Sequence, residues 1–279
     1  MTKTKTLIIA LLALFVMPLM SCRQANTQTV AIQSAQSDDP RLYTRDIPLP
    51  SPLTDRAEQI LYRKSYVVSY NKDTRQPNWV AWHLTSDHTS GNVPRPTTAW
   101  HEDKDVPEPR AYHSDYRDGC WDRGHMCPAG DNKWDSDAMY ETFLMSNACP
   151  QSKTLNSGTW NQIEISCRTW ARKYGDIFIF CGPIFYEVSG HATIGKNNIR
   201  VPDAFFKVVV RLEPTNPKGI AFICPNSDES GKMASYATSI NEVERVTGNT
   251  FLPDLQATCC NLTPESLSAI KSNTSLRQF

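Results

Sequence analysis

One amphipathic helix constrains the fold of this chain more than any other segment. Residues 159–174 repeat apolar side chains with the period of an α-helix, and Gly175 follows as a stop signal. The apolar positions are Trp160, Ile163, Cys167, Trp170, Ala171 and Tyr174. Such a face must be buried against another element. We therefore expect this helix to lie against the body of the protein.

Five segments predict strands because they are short and rich in β-branched and aromatic residues. They are residues 65–70, 79–84, 176–181, 205–212 and 219–224. Strands and helices are interleaved without a regular βαβ period. The pattern predicts an α+β fold.

Three more helices are predicted from their capping signals. One covers residues 54–64, where Asp55 and Glu58 have the spacing of a capping box. A second covers residues 136–145, and a last helix ends before Gly248.

The N-terminus has the features of an export signal. Lys3 and Lys5 precede an unbroken apolar stretch over residues 7–20, which is too short for an ordinary spanning helix. Ser21-Cys22 then resembles the cleavage site of bacterial lipoproteins, in which the cysteine carries the lipid. We predict a lipoprotein-type signal peptide over residues 1–21 and a lipid on Cys22. An ordinary signal peptide cut before a chance cysteine is the alternative.

Domain organisation follows from composition. Residues 22–53 are polar and rich in Gln, Ser, Thr and Pro, which is typical of a flexible tether. Residues 54–279 are predicted to form the folded domain. Eight cysteines besides Cys22 remain in an exported chain, so we expect disulfides, with buried free thiols as the alternative for some of them.

Charge limits the class of partner only weakly. Lys and Arg number 29 and Asp and Glu number 29, so the whole chain is not basic in the way of many nucleic-acid-binding proteins. The distribution is uneven, because residues 151–200 carry more basic than acidic side chains.

A group of polar residues points to chemistry. The run Asp122-Arg123-Gly124-His125 is followed by Asn156 and then by Glu164 and Arg168 on the amphipathic helix. At about 100° per residue, Glu164 and Arg168 lie beside the apolar stripe and not opposite it. Amide and carboxylate oxygens suit a hard cation, a neutral imidazole suits deprotonation of water, and arginines suit a phosphate.

Each of these residues also has an ordinary structural interpretation. Glu164 and Arg168 have the spacing of an i,i+4 ion pair, and Asn156 could simply open the helix. A single histidine is more often a satisfied polar residue than a catalyst. The combination favours phosphodiester hydrolysis, which needs water, a metal, a base and a phosphate site.

The combined motifs resemble the non-specific DNA/RNA endonucleases, the endonuclease G-like group with a ββα-metal active site. The resemblance begins at residues 122–125, continues through residues 141–147, 150–151 and 155–164, and includes residues 201–207. In all it covers roughly residues 60 to 255. It implies a ββα-metal core with a mixed, mainly antiparallel central sheet flanked by helices.

The resemblance also implies roles for the polar residues. His125 would be the general base and Asn156 the direct protein ligand of Mg²⁺, with Mn²⁺ as a substitute metal. Glu164 would hold metal-bound waters. Asp122 would orient a metal-bound water or an arginine, and Asn147 would hold the turn around the histidine by hydrogen bonds.

Four arginines are candidates for the phosphate. Arg168 would approach it, and Arg123 would support the site and the phosphate. Arg95 matches the family's transition-state arginine, with Arg110 as the alternative.

The function that this resemblance implies is Mg²⁺-dependent, sugar-non-specific endonuclease activity on DNA and RNA, with 5′-phosphate products. The expected partners are DNA and RNA without sequence preference, and a membrane through the lipid on Cys22. The expected location is outside the cytoplasm, on a bacterial membrane or secreted. A catalytically inactive nucleic-acid-binding surface lipoprotein is the alternative, and a phosphodiesterase of small esters is a further rival.

Overall fold

A computed structural model describes most of the predicted domain. It covers residues 43–97, 99–186, 190–213, 217–229, 231–253 and 264–279. The predicted signal peptide, the predicted lipid site Cys22, and residues 259 and 260 lie outside this range. Within it, no helix combines the length and hydrophobicity needed to cross a membrane.

A seven-stranded sheet forms the centre of the molecule, and each strand is antiparallel to its neighbours. This confirms the α+β class with a mainly antiparallel sheet. In spatial order the strands are β1 (Gln59–Tyr62), β2 (Tyr66–Asn71), β3 (Gln76–Leu84), β6 (Ile177–Ile184), β9 (Ala204–Arg211), β10 (Lys218–Pro225) and β11 (Ala237–Thr238).

Two small antiparallel pairs complete the strands. The first joins β4 (Asp122–His125) to β5 (Ala148–Gln151), and the second joins β7 (Thr193–Ile194) to β8 (Ile199–Arg200). The helices are α1 (Ser136–Glu141), α2 (Lys153–Leu155), α3 (Asn161–Tyr174), α4 (Ile240–Thr247) and α5 (Pro264–Ser272). The β4–β5 pair followed by α3 is the ββα unit.

Helices cover both faces of the central sheet. The buried stripe of α3 packs on one face, and Ile240 and Val243 of α4 pack on the other with Ile270 of α5. Side chains of β9 alternate between the two cores, so Phe205 lies on the α3 face and Phe206 on the opposite face. Position 207 therefore lies beneath α3.

The helix predicted over residues 54–64 is wrong, because residues 59–62 form edge strand β1. Glu58 does not cap a helix. Its carboxylate accepts hydrogen bonds from Leu53 N and Ser69 Oγ, which tie the segment to β2. Pairing with β2 thus outweighs the local capping signal.

Two other helix predictions need adjustment. The helix predicted over residues 136–145 ends at Glu141, after Asp135 has capped its first turn through Asp137 N and Ala138 N. The helix before Gly248 forms as predicted, and Gly248 ends it at a φ of 68°. It is not the last helix, since α5 follows it.

The folded part begins before the predicted boundary at residue 54. Ile47 is buried against the α4 face of the sheet, and Ser51 N donates a hydrogen bond to Thr250 O. Leu49 and Leu53 pack on the same core. These apolar side chains lie within residues 22–53, which are predicted to be a tether because the segment as a whole is polar.

The cysteines in the described part of the chain are free thiols and form no disulfides there. Most of them are buried, as the alternative prediction allowed. Cys120 is exposed, and the buried ones are Cys127, Cys149, Cys167, Cys181 and Cys224. Cys259 and Cys260 lie outside the described residues.

Candidate active site

Strand β4 delivers three of the predicted site residues from one short element. Asp122, Arg123 and His125 all lie on it, and Gly124 between them pairs with Cys149 of β5. A Cβ at position 124 would lie 2.2 Å from the Gln151 side chain. The glycine therefore allows Gln151 to pack directly on the strand that carries the histidine.

Asn147 holds the turn that follows the histidine. Its Oδ1 accepts a hydrogen bond from Cys127 N over 2.9 Å, and its Nδ2 donates to Cys127 O and Thr142 O over 2.9 and 2.8 Å. The side chain is fully buried. The amide thus fixes the backbone just after His125 to the start of β5.

Aromatic rings enclose His125. Its ring centroid lies 4.4 Å from that of Trp100 and 4.8 Å from that of Phe143, which meets it edge-on. Nε2 of His125 is buried and has no hydrogen-bond partner among the described residues. Within the described part of the chain, this nitrogen therefore lacks the hydrogen bond that usually orients a catalytic imidazole.

Burial keeps the histidine neutral. Burial, together with the positive charges of Arg95 and Arg123, lowers the pKa of His125 to about 3. The imidazole is therefore a proton acceptor at neutral pH. A bound phosphodiester would offset the two arginines and raise this pKa when substrate is present.

Asn156 opens a widened helical turn. A π-helical turn over Asn156–Trp160 connects α2 to α3, and Gly158 departs from helical geometry inside it. Turns of this kind occur frequently at functional sites. Nδ2 of Asn156 donates a hydrogen bond to Asp122 Oδ2 over 2.9 Å, which leaves Oδ1 as the free acceptor of the amide.

Glu164 lies on α3 above a buried lysine. Its side chain is only 13% exposed, and Oε1 is 3.9 Å from Nζ of the fully buried Lys207. Burial raises the pKa of the Glu164 carboxyl to about 7, although the charge of Lys207 opposes the shift. The ammonium of Lys207 also lies 4.1 Å from the ring centroid of Trp160.

Arg168 is tied to a buried carboxylate. Its Nη1 contacts Asp131 Oδ1 at 2.8 Å, and the other Asp131 oxygen accepts a hydrogen bond from Trp82 Nε1 over 3.1 Å. Glu164 and Arg168 thus each have a buried counter-charge from another element. They do not pair with each other, so the i,i+4 interpretation fails for these two side chains.

The structure distinguishes the two candidate arginines by position. Arg95 and Arg123 line a cavity of about 480 Å³ together with Trp100 and Phe143, and the charge of Arg95 acts on both His125 and Glu164. Arg110 instead donates from Nη1 to Asp103 O and pairs with Glu108, and it does not line this cavity.

The donor set suits a hard cation. Asn156 and Asp122 offer an amide and a carboxylate oxygen, and Glu164 offers a second carboxylate. No three His, Cys, Asp or Glu side chains cluster as metal ligands in the described ranges. A metal held here would take one protein oxygen or two, with water completing its coordination.

Sequence reasoning missed four residues of this site. Trp100 comes from a loop and Asp131 from a short 3-10 helix, and nothing in their local sequence marks them. Phe143 lies within the motif at residues 141–147, but no role was assigned to it. Lys207 had a signal, because a charged residue stands inside the apolar strand β9. A lysine at a core position is rare and therefore informative.

Comparison with known proteins gives the family. Residues 47–258 match the family described as DNA/RNA non-specific endonuclease. The chain belongs to this family. It is 33% identical over 218 residues to "Nuclease EXOG, mitochondrial" of Danio rerio, covering 73% of this chain and 64% of the relative. The chain thus spans less than two thirds of the length of that relative.

Two further matches extend over more of their own chains. "Endonuclease G, mitochondrial" of Homo sapiens is 33% identical over 214 residues, covering 71% of each protein. "Nuclease C1" of Cunninghamella echinulata var. echinulata is 34% identical over 232 residues, covering 78% of this chain and 92% of the relative.

A solved structure is similar in fold. A chain in the crystal structure of the EndoG/EndoGI complex superimposes with a TM-score of 0.65 and 28% identity, covering 70% of this chain and 86% of that chain. This agrees with the ββα-metal core expected from the sequence.

Proposed function

We propose that this protein is a Mg²⁺-dependent endonuclease that hydrolyses DNA and RNA without regard to sugar or sequence. The observation that carries the proposal is that a neutral imidazole, His125, lies within the electrostatic influence of two arginines, Arg95 and Arg123. Membership of the DNA/RNA non-specific endonuclease family supports it.

Each side chain has a task in this reaction. His125 takes a proton from a water molecule, which attacks phosphorus in line with the leaving 3′ oxygen. Arg95 and Arg123 bind the phosphate oxygens. The P–O3′ bond breaks, so the products carry a 5′ phosphate and a 3′ hydroxyl after the leaving oxygen gains a proton from solvent.

Asn156 would hold the Mg²⁺ through its amide oxygen, and Asp122 and Glu164 would orient its waters. When bound, the cation supplies charge stabilisation to the phosphate as negative charge develops. Arg168, paired with Asp131, positions this side of α3 and approaches the phosphate with its remaining nitrogens.

Substrate breadth follows from what these groups recognise. Arginines and a cation bind the phosphate backbone, which all nucleic acids share, and carry no direct base readout. We therefore expect cleavage of DNA and RNA, single- and double-stranded.

The decisive experiment is digestion of supercoiled plasmid and of RNA by the purified protein with Mg²⁺, with EDTA, and by the His125→Ala variant. A matched control is His88→Ala, since His88 is another partly buried histidine that packs on an aromatic ring. Binding of nucleic acid without cleavage would favour the inactive surface protein, and turnover of small esters alone would favour a phosphodiesterase.

Asn156→Ala tests the metal ligand, with the exposed Asn161→Ala as its control. The Asn156 variant should lose Mg²⁺-dependent activity. An unchanged Mg²⁺ response would place the ligand elsewhere. End-labelling of the products tests the 5′ phosphate.

We also propose that the protein is exported and anchored to a bacterial membrane through a lipid on Cys22. The charged start, the short apolar stretch and Ser21-Cys22 support this assignment. Labelling with a radioactive fatty acid should mark the wild type and the Cys120→Ser control but not Cys22→Ser. Labelling of the Cys22 variant would contradict the anchor.

A further inference from the structure

The loop before β4 covers the catalytic candidate with an indole. Trp100 packs on His125 at 4.4 Å between ring centroids, with the two rings inclined by 43°. Phe143 meets the imidazole at 84° and 4.8 Å, and Trp100 and Phe143 contact each other at 5.3 Å. The three rings thus form one continuous aromatic cluster.

Hydrogen bonding does not explain the orientation of this imidazole. Catalytic histidines are usually oriented by a hydrogen bond to the nitrogen that does not react. Nε2 of His125 is buried and accepts or donates no such bond within the described residues. Contact with the neighbouring rings is the restraint that the structure provides.

Trp100 is also linked to the phosphate-binding arginines. The Arg123 guanidinium carbon lies 6.0 Å from the Trp100 ring centroid, and that of Arg95 lies 5.3 Å from the ring of Phe143. Arg95 is carried by the same loop as Trp100. One movement of this loop would therefore displace both the arginine and the cover of the histidine.

We propose that Trp100 is a positioning residue, which holds the His125 ring in its reactive orientation by packing against it beside Phe143. The inference rests on the proposed nuclease function for its kinetic consequences. It assigns Trp100 no contact with the reacting atoms. Its effect on the histidine exists whether or not substrate is present.

Removing the indole would change the surroundings of the imidazole in a measurable way. Water would reach the side of the ring that the indole now covers, and the charged form would become less unfavourable. The charged groups that act on this ring, Arg95 and Arg123, would remain. The pKa of His125 would therefore rise towards its ordinary value while staying below it.

The test compares Trp100→Ala, Trp100→Leu and Trp100→Phe with a matched control, Trp134→Ala. Trp134 packs on His88 at 4.6 Å between ring centroids, so it is also a tryptophan in contact with a histidine, but outside the site. We expect kcat to fall about 10²-fold in Trp100→Ala with KM changed only a few-fold. Trp100→Phe should recover most of the rate, and Trp134→Ala should behave as wild type.

A second readout does not depend on nuclease activity. NMR titration of the His125 ring in the full-length variants should show a higher pKa in Trp100→Ala and Trp100→Leu than in the wild type or Trp100→Phe. Unchanged titration and an unchanged kcat would overturn the proposal. If Trp100→Ala does not fold, equal behaviour of the Leu and Phe variants would overturn it as well. If the wild type cleaves no nucleic acid, the proposed function fails, and the titration still decides the role of Trp100.

Discussion

Asn156 Nδ2 and Asp122 Oδ2 are joined by a hydrogen bond of 2.9 Å between the metal-ligand candidate and the strand that carries the histidine. The bond fixes which end of the Asn156 amide is free. An acceptor oxygen is thereby presented to the site, and a donor is kept away from a cation. Asp122 thus acts on the metal site through its neighbour.

Replacement of Asp122 should weaken the metal site without removing its ligand. We expect Asp122→Ala to raise the Mg²⁺ concentration needed for half-maximal activity by about 10- to 100-fold, because the amide loses the partner that orients it. Titration of Mg²⁺ in the plasmid assay measures this. The exposed Asp118→Ala is the control, and an equal shift in both variants would contradict the prediction.

Arg95 and Arg110 form a natural matched pair of substitutions. Arg95→Ala should lower kcat by about 10²- to 10³-fold, because it removes a charge beside the attacked phosphate. Arg110→Ala should leave kcat nearly unchanged, since its guanidinium is held by Asp103 O and Glu108. Steady-state kinetics on a short oligonucleotide distinguish them. The reverse result would make Arg110 the phosphate-binding residue.

The low pKa of His125 has a consequence for stability in acid. Between about 3 and its ordinary value of 6.5, the folded protein binds fewer protons at this residue than the unfolded chain. The free energy of unfolding therefore falls as pH decreases through that window. When the pH is lowered from 7.5 to 5, the free energy of unfolding of His125→Ala should fall by about 1–2 kcal/mol less than that of the wild type.

Urea unfolding of both proteins at the two pH values measures this difference. His88→Ala is the control, because burial lowers its pKa as well but no arginine pair lies against it. Equal losses of unfolding free energy in the wild type and His125→Ala would show that folding does not lower the pKa of His125.

The buried contact between Lys207 and Glu164 should show strong energetic coupling. Lys207→Met leaves Glu164 without its counter-charge and should destabilise the fold by about 3–5 kcal/mol. The double variant with Glu164→Gln should be less destabilised than the sum of the single variants, by about 0.5–3 kcal/mol. Urea unfolding of the four proteins completes this cycle.

The exposed pair Arg245 and Glu242 provides the comparison. These side chains approach within 2.6 Å on the surface of α4, where water screens them, so their coupling should be at most about 1 kcal/mol. Coupling between Lys207 and Glu164 no larger than this would mean that the lysine does not support the carboxylate.

Local patterns predicted much of the fold. The stripe of α3 and the β-branched runs of β2, β3, β6, β9 and β10 are each visible within a short window of sequence. Capping was less reliable. It identified α4 correctly but suggested a helix at Glu58, where pairing with a distant strand decides the structure.

The site was predictable only where motifs stand together in sequence. His125, Asn156 and Glu164 could be named because the order and spacing of their motifs resemble a known family. Trp100 and Lys207 could not be placed, since their partners are 25 and 43 residues away along the chain. Contacts of that kind are set by tertiary packing, which a local pattern does not contain.

The side chain of Asn147 joins the two ends of the long connection between β4 and β5, because it binds both the N–H and the C=O of Cys127. The segment from 128 to 146 therefore starts and ends at one fixed point, and it carries Asp131 and Phe143 into the site. Exposed side chains such as that of Lys133 can change without moving His125, whereas the backbone at this position is held by a hydrogen bond from Val93 N to Lys133 O. Substitutions at exposed positions of this segment can therefore alter the surface near the site, while Asn147 keeps the backbone beside His125 in place.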